Sequence, residues 1–148
     1  MRNEFRRIML PVDFSEYGRR AAQYAAWFAR FSKAAVHLVH VVANPADPLY
    51  EPEEEAHWVL VEHAQRTATA MLEELATTWL PGLPHEIHVA VGDPYEKIIA
   101  LARQIKPDLI VMSTHGRGAV AHLAIGSVAE KIVRHAPCPV LVVRREAA

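Results

Sequence analysis

The sequence predicts an α/β protein in which helices cover both faces of a five-stranded parallel sheet. Five apolar, β-branched segments alternate along the chain with four segments of helical periodicity, which is the order that parallel strands joined by helical crossovers require. The strand segments are apolar almost without interruption, as in Val36–Val42 and Val140–Val143, and this is typical of strands buried on both faces. Right-handed crossovers then give a three-layer sandwich.

The strands are expected where β-branched residues cluster between turn-forming residues. The clusters lie at Arg7–Val12, Val36–Val42, His85–Val91, Leu109–Ser113 and Val140–Arg144. The chain has 148 residues, which is enough for one domain with a substantial hydrophobic core and too short for two domains. We therefore expect a single domain over residues 1–148.

The first two helices are predicted from apolar residues that recur at helical spacing. The first is expected over Ser15–Lys33, with a stripe at Ala21, Tyr24, Ala25, Phe28 and Phe31. The second is expected over Pro52–Trp79, with a stripe at Ala56, Val59, Leu60, Ala64, Ala68, Met71, Leu72, Leu75 and Trp79. Both stripes should pack on the sheet.

The third and fourth helices are predicted from their start signals. Asp93 followed by Pro94 and Glu96 combines an N-cap acid, a proline at the first helical position and a capping-box glutamate. Lys106-Pro107-Asp108 ends that helix. The fourth helix should begin at Ser127, with Glu130 closing a capping box.

Composition excludes several classes of function. A net charge of −1 lacks the basic excess that nucleic acid or an anionic membrane attracts. No apolar stretch approaches membrane-spanning length, and the charged start of the chain has no signal-peptide core. The single cysteine, Cys138, cannot form an internal disulfide, which suits a reducing cytoplasm. We expect a cytoplasmic protein and no redox role for this thiol.

Residues 108–127 carry the strongest functional signal. The buried-strand segment Leu109–Met112 leads into a loop of small residues that ends at Gly126-Ser127, where a helical pattern resumes. Amides exposed by glycine and by a helix start can bind phosphate without a lysine. A purely structural alternative is that Gly116 and Gly118 turn the chain and the helix cap needs no ligand. That alternative leaves the long spacer before Gly126 unexplained.

The chain resembles the universal stress protein family along its whole length. Nucleotide-binding members of that family carry Gly, two residues, Gly, nine residues and then Gly with Ser or Thr. Here the motif is Ser113, two residues, Gly116, nine residues and Gly126-Ser127. Three further segments are similar to the family: Ile-Met-Leu-Pro-Val-Asp-Phe-Ser at 8–15, Leu-Val-His-Val-Val at 38–42, and Gly-Ser-Val-Ala-Glu-Lys-Ile-Val-Arg-His-Ala-Pro-Cys-Pro-Val-Leu-Val-Val at 126–143.

The resemblance implies a Rossmann-like sheet of the adenine nucleotide alpha hydrolase-like type, with strand order 3-2-1-4-5. It also implies binding of ATP or AMP, with or without Mg²⁺ held through the phosphates. The positions that match the family's site are Pro11, Val12, Asp13, Val41, Met112, Ser113, His115, Gly116, Arg117, Gly126, Ser127 and Val128. The phosphates would rest on the amides of Gly116, Gly126, Ser127 and Val128.

Several of these residues also have plainer interpretations. Asp13 is either a turn or N-cap acid ahead of the first helix or a ligand to the sugar hydroxyls or the base. By resemblance, Val41 offers backbone groups to adenine while its side chain joins the core. Arg117 either reaches a phosphate or is simply solvated, and His115 either touches the ligand or braces the loop. Ser113 places a side chain where the family motif keeps bare backbone, so we expect binding to be weakened or retuned.

A specific metal site is not expected. The pairs His37 and His40, and His85 and His88, are three positions apart on strands, so the members of each pair should point to opposite faces. His57 and His63 share a helix face poorly, and no His-Glu-x-x-His or cysteine pair is present in the sequence.

The leading hypothesis is a cytoplasmic adenine-nucleotide sensor. Gly116-x-Gly118 follows the fourth strand and has no acidic partner about twenty residues on, so it is a poor dinucleotide fingerprint. There is no P-loop and no His-x-Gly-His signature, and no catalytic set can be assembled. The alternative hypothesis is a dimeric interaction module without nucleotide, and a third is slow ATP hydrolysis. Universal stress proteins commonly dimerise through the last strand, so we expect a homodimer through Val140–Val143.

Overall fold

The computed structural model describes residues 4–43, 54–115 and 125–144, over which strands and helices alternate. In chain order the elements are β1 (Arg7–Pro11), α1 (Gly18–Ser32), β2 (Ala35–Val42), α2 (Glu54–Trp79), β3 (His85–Val91), α3 (Pro94–Ile105), β4 (Leu109–Ser113), α4 (Ser127–His135) and β5 (Val140–Val143).

The strands form one parallel sheet in the order β3-β2-β1-β4-β5. The predicted fold class and strand order are therefore confirmed. The bounds of β3 and β4 are those predicted from the sequence, while β2 begins one residue earlier and β1 and β5 each end one residue earlier. The order reverses at β1, because β2 lies on one side of it and β4 on the other.

The helices form separate cores on the two faces of the sheet. The core under α1 and α2 contains Ile8 and Leu10 of β1 and Val36 and Leu38 of β2. The core under α3 and α4 contains Met9 and Val39. Each strand of the sheet centre is therefore buried on both faces, as its apolar sequence predicts.

Helix α1 differs from the prediction at its start and in the residues it buries. It begins at Gly18 rather than Ser15. Its buried face is made of alanines, at positions 21, 22, 25, 26 and 29, which let the helix lie close to the sheet. The larger Tyr24 and Phe31 of the predicted stripe are exposed, and the Phe31 ring stacks on Trp27 with ring centroids 5.9 Å apart.

Helix α2 buries only part of its predicted stripe. Leu72 is fully buried, whereas Val59 and Leu60 are 58% and 64% exposed. Among the α2 residues whose burial is described, from residue 58 onward, the first buried one is Val61, at 4% exposure. Val59 and Leu60 therefore do not pack into the core as Leu72 does.

Helix α3 has the termini that the sequence predicts. Asp93 is the N-cap, and its Oδ1 accepts a hydrogen bond from the Glu96 amide at 2.9 Å. Lys106 ends the helix in the left-handed conformation, at φ 53°.

In the described ranges, no helix combines the length and apolar character that crossing a bilayer needs.

The burial difference along α2 can be tested by substitution. Leu72→Ala should lower the free energy of unfolding by about 2–5 kcal/mol, because a fully buried leucine leaves a cavity when truncated. Val59→Ala on the exposed turn should change it by less than about 0.5 kcal/mol. Urea unfolding followed by circular dichroism measures both, and equal losses would contradict the buried face assigned here.

Candidate functional site

A cleft of about 700 Å³ opens at the carboxyl ends of β1, β2 and β4. This volume is within the range of small-molecule sites. Its floor is formed by the strand ends, one wall by α2, and the other by the starts of α3 and α4. The lining residues are Pro11, Val12, Asp13, Phe14, Val39, His40, Val41, Val42, Ala43, His63, Ala64, Thr67, Ala68, Met71, Pro94, Ile98, Met112, Ser113, Thr114, His115, Gly126, Ser127, Val128 and Ala129.

All the sequence-predicted site residues that the structure describes line this one cleft. They come from four separate parts of the chain, at or just after the ends of β1 and β4, near the end of β2, and at the start of α4. Gly116 and Arg117 lie outside the described residues. The structure therefore brings these residues together in one cleft, and the role of each depends on its contacts.

Asp13 forms a turn after β1 and is not the cap of α1. Its Oδ1 accepts a hydrogen bond from the Ser15 amide at 3.0 Å, whereas the N-cap of α1 is Tyr17. Phe14, the residue between, has a φ of 62° in the left-handed region, which is costly for an aromatic residue. This turn occupies the residues that the sequence assigned to the first helical turn, so α1 starts late.

His40 is a cleft residue whose position the sequence reasoning did not use. Its Nδ1 donates to the carbonyl of Val12 at 2.7 Å, because a carbonyl can only accept. Its ring packs on Phe14 with centroids 4.3 Å apart. His40 thereby links the end of β2 to the loop after β1. The sequence feature that could have identified His40 as a cleft residue is its position near the end of a strand inside the sheet.

The loop after β4 is fixed by its own polar groups. The Ser113 hydroxyl donates to the carbonyl of His115 at 2.8 Å, and the amide of buried Thr114 donates to Val143 at 3.1 Å. His115 Nδ1 lies 3.0 Å from the Thr114 hydroxyl oxygen. His115 thus braces the loop and also lines the cleft. The hydroxyl that replaces the motif glycine is directed onto the loop backbone.

Helix α4 begins without a side-chain cap. Its N-cap is Gly126, so the predicted capping box of Ser127 and Glu130 is wrong. Ser127 is already the first helical residue, and the Glu130 carboxylate accepts from Arg134 at 2.8 Å. The amides of Ser127 and Val128 have no acceptor within the helix, and they carry the positive end of its dipole at the cleft.

Gly126 brings the start of α4 against the loop after β4. Its amide donates to the Thr114 carbonyl at 2.6 Å, so this amide is engaged in the structure rather than directed at a ligand. A Cβ at this position would lie 3.2 Å from the same oxygen. Glycine therefore fits this close approach without crowding the loop, and the amides that lack an acceptor within the helix are those of the following helical turn.

Helix α2 supplies a wall that the sequence analysis assigned wholly to the core. Ala64, Ala68 and Met71 line the cleft at helical spacing, and Met71 is 39% exposed. On the opposite side lies Ile98 of α3. The cleft therefore has apolar walls at its β2 end and polar backbone at its α4 end.

Among the described residues, two titratable groups away from the cleft lining have shifted pKa values. Burial lowers the pKa of His37, with Glu86 opposing the shift and His88 and Arg7 adding to it. Burial raises the pKa of the Cys138 thiol, and the nearby carboxylate of Asp108 raises it further.

The chain is similar to named proteins over nearly all its length. Residues 4–144 match the sequence profile of the Universal stress protein family. A relative from Thermus aquaticus, the universal stress protein in the QAH/OAS sulfhydrylase 3′ region, is 40% identical over 95% of this chain and 99% of the relative. Universal stress protein MJ0531 of Methanocaldococcus jannaschii is 31% identical over 97% of this chain and 84% of the relative.

Solved structures agree with this relationship. MJ0577 of Methanocaldococcus jannaschii superposes with a TM-score of 0.85 at 27% identity, covering 97% of this chain and 99% of that chain. Two others are a universal stress protein in complex with cAMP and one from Arabidopsis thaliana with AMP bound. Their TM-scores are 0.61 and 0.63, their identities 22% and 21%, and they cover 96% of this chain and 98% and 93% of their own. The sequence match and the shared sheet topology together show that this chain belongs to the universal stress protein family.

Proposed function

We propose that this chain binds an adenine nucleotide, ATP or AMP, in the cleft and acts as a nucleotide-dependent sensor or regulator of a stress response. The observation that carries the proposal is the joining of an apolar pocket to an uncapped helix start within one cleft. Family members with AMP and cAMP bound support the ligand class. The site of action would be the cytoplasm.

The apolar end of the cleft suits the adenine base. Val39 and Val41 from β2, Ala68 and Met71 from α2, and Ile98 from α3 give it apolar surfaces on several sides. The Val39 carbonyl accepts from the Val12 amide at 2.7 Å. Since alternate strand residues direct their polar groups the same way, Val41 directs its backbone groups past the end of β1. There they would recognise the edge of the base.

The α4 end of the cleft suits the phosphates. The amides of Ser127 and Val128 and the Ser127 hydroxyl would donate to phosphate oxygens, assisted by the helix dipole. Asp13, across the cleft, would accept from a sugar hydroxyl. Mg²⁺, if it accompanies the nucleotide, would be held through the phosphates. Ser113 reduces the space near the sugar, so the affinity should be lower than with glycine there.

Nucleotide binding would provide a signal by shifting the protein between conformations. The bound nucleotide would contact His115 after β4 and Ser127 at the start of α4. A ligand that binds one conformation better than another shifts their populations and changes the surface presented to partners.

We also propose that the chain forms a homodimer through β5, whose Val140, Leu141 and Val142 are only partly buried. β5 lies at the edge of the sheet and pairs with β4 alone among the described strands. A bare apolar edge invites pairing with a second copy, and a two-fold axis would make the contact isologous. The carbonyls of Pro139 and Val143 accept from β4, so the polar groups of Val140 and Val142 face the open edge.

The phosphate contact is tested by Ser127→Pro. Proline is well tolerated at the first helical position and needs an extended residue before it, and Gly126 has φ −74° and ψ 160°. The variant removes one amide donor and should weaken AMP and ATP binding about 10- to 100-fold, since a hydrogen bond to a charged group contributes about 1.5–3 kcal/mol. Isothermal titration should show adenosine binding unchanged.

Ser127→Ala is the matched control, because it removes the hydroxyl and keeps the amide. Its affinity for AMP should lie closer to that of the unsubstituted chain. Absence of heat with ATP and AMP at millimolar concentrations in the unsubstituted chain would refute the proposed function.

The sugar contact is tested by Asp13→Asn. The variant retains an oxygen to accept from Ser15 and so should keep the turn, while the charge that accepts from the ribose is lost. Affinities for adenosine and AMP should fall together, each by about tenfold, as expected for losing a charge-assisted hydrogen bond. Equal thermal midpoints of unfolding for the Asp13→Asn variant and the unsubstituted chain would show that the turn is intact. An unchanged affinity would leave Asp13 as a turn residue alone.

The dimer is tested by Val142→Pro. This change removes an outward-facing amide at the open edge without removing a hydrogen bond to β4, and proline is compatible with an edge strand. Sedimentation velocity should give a dimer for the unsubstituted chain and a monomer for the variant. A monomeric mass for the unsubstituted chain would refute the proposed assembly.

A further inference from the structure

A cluster of two histidines and one glutamate lies on β2 and β3, away from the nucleotide cleft. It consists of His37, Glu86 and His88, here called the histidine–glutamate cluster. His37 is paired directly with Glu86, and His88 lies two residues further along β3, opposite Val39. Side chains two residues apart on a strand share a face, so all three lie on the side of the sheet that α3 and α4 cover.

The donor atoms of the cluster are already spaced as metal ligands. His37 Nδ1 lies 3.0 Å from His88 Nε2, and the Glu86 Oε2 oxygen lies 3.6 Å from the first of these nitrogens and 3.7 Å from the second. Tetrahedral Zn²⁺ with bond lengths of about 2.0–2.2 Å places its ligand atoms about 3.3–3.6 Å apart. The three atoms therefore approximate one triangular face of such a tetrahedron.

The cluster is buried at His37 and exposed to solvent at Glu86. The His37 side chain is 8% exposed, that of His88 24% and that of Glu86 64%. Helix α3 packs on β2 and β1, whereas β3 is the edge strand. An ion can therefore enter from the Glu86 side, and solvent can supply a further ligand there.

We propose that His37, Glu86 and His88 bind one Zn²⁺ ion, with water in the fourth position. Two imidazole nitrogens and one carboxylate form a donor set suited to zinc and similar transition metals rather than to Mg²⁺ or Ca²⁺. When no ion is bound, the two rings share a hydrogen bond. One of the two bonded nitrogens, His37 Nδ1 or His88 Nε2, carries the hydrogen of this bond. That ring must change to the tautomer with its hydrogen on the other ring nitrogen before both of these nitrogens can bind the metal.

The charged groups near the cluster have opposite effects on the binding of a cation. Glu86 contributes the negative charge that a divalent cation requires, while the positive charge of Arg7 acts on His37. The Arg7 guanidinium is directed to the Ile105 carbonyl, to which it donates at 2.7 Å. The expected site therefore has a single charged ligand and an affinity below that of a zinc site with several.

The spacing of histidines along a single strand does not predict this cluster, because its members are on two strands. His37 and His40 do lie on opposite faces, as expected, but the partner of His37 is on the neighbouring strand. The expectation that there is no specific metal site considered no pair across strands. A bound ion would connect β2 to the edge strand β3 and stabilise the folded state by mass action.

The experiment uses the full chain without an affinity tag, nucleotide or chelator. Titration with Co²⁺ should give the visible absorption of a tetrahedral complex at one ion per chain, and Zn²⁺ should displace it. A sulfur-to-cobalt charge-transfer band should be absent, which distinguishes this site from one at Cys138. Zn²⁺ should also raise the thermal midpoint of unfolding.

Variants on β3 locate the ion without changing the buried His37. His88→Ala should weaken Zn²⁺ binding by at least about tenfold, since even changes in residues behind a ligand cost 10- to 100-fold. Glu86→Gln should weaken it as well. His85→Ala is the matched control, because His85 is on the same strand outside the cluster and bonds its Nδ1 to the Leu83 carbonyl at 3.0 Å.

Three results would overturn the proposal. The first is the absence of a Co²⁺ absorption band in the unsubstituted chain. The second is an unchanged Zn²⁺ affinity in folded His88→Ala, and the third is an equal loss in His85→Ala, which would indicate non-specific binding to exposed imidazoles. Circular dichroism of each variant confirms that it is folded.

Discussion

The right-handed crossover is the constraint on which the rest of this molecule depends. Because each β-α-β connection has this handedness, the chain that moves outward from β1 to β3 lays α1 and α2 on one face, and the chain that returns to β4 and β5 lays α3 and α4 on the other. The helices on the two sides diverge where the order reverses, at β1 and β4. A cleft at the carboxyl ends of the strands follows from that divergence.

The chemistry of the cleft resides largely in its backbone. Ser113, Thr114 and His115 form hydrogen bonds within the loop after β4. The Gly126 amide forms a further hydrogen bond from the start of α4 to the same loop. A glycine cap then leaves the first helical amides without a side-chain acceptor. A larger N-cap residue would crowd the Thr114 carbonyl, and one with a side-chain acceptor could bond to those amides itself. Glycine at this position thus favours close packing and also leaves the amides uncapped.

The sequence predicts the features of the fold and the cleft that depend on neighbouring residues, and it does not predict those that depend on contacts between distant parts of the chain. Signals contained in a few consecutive residues were sufficient for α3, where Asp93 and Pro94 mark the start, and for the strands, whose apolar segments are buried on both faces. The late start of α1 depends on the left-handed Phe14 and its contact with His40 from another strand. The uncapped α4 depends on Thr114, and the histidine–glutamate cluster on the register of β2 and β3. These contacts join residues far apart in the chain, so periodicity and capping rules could not anticipate them.

The environment of Cys138 has a chemical consequence for a protein of this family. Burial and the carboxylate of Asp108 both favour the protonated sulfur, whereas the thiolate is the form that reacts with peroxides and electrophiles. The surroundings of this thiol therefore reduce its reactivity. Because this is the chain's sole cysteine, a disulfide between two copies would have to join Cys138 of one to Cys138 of the other.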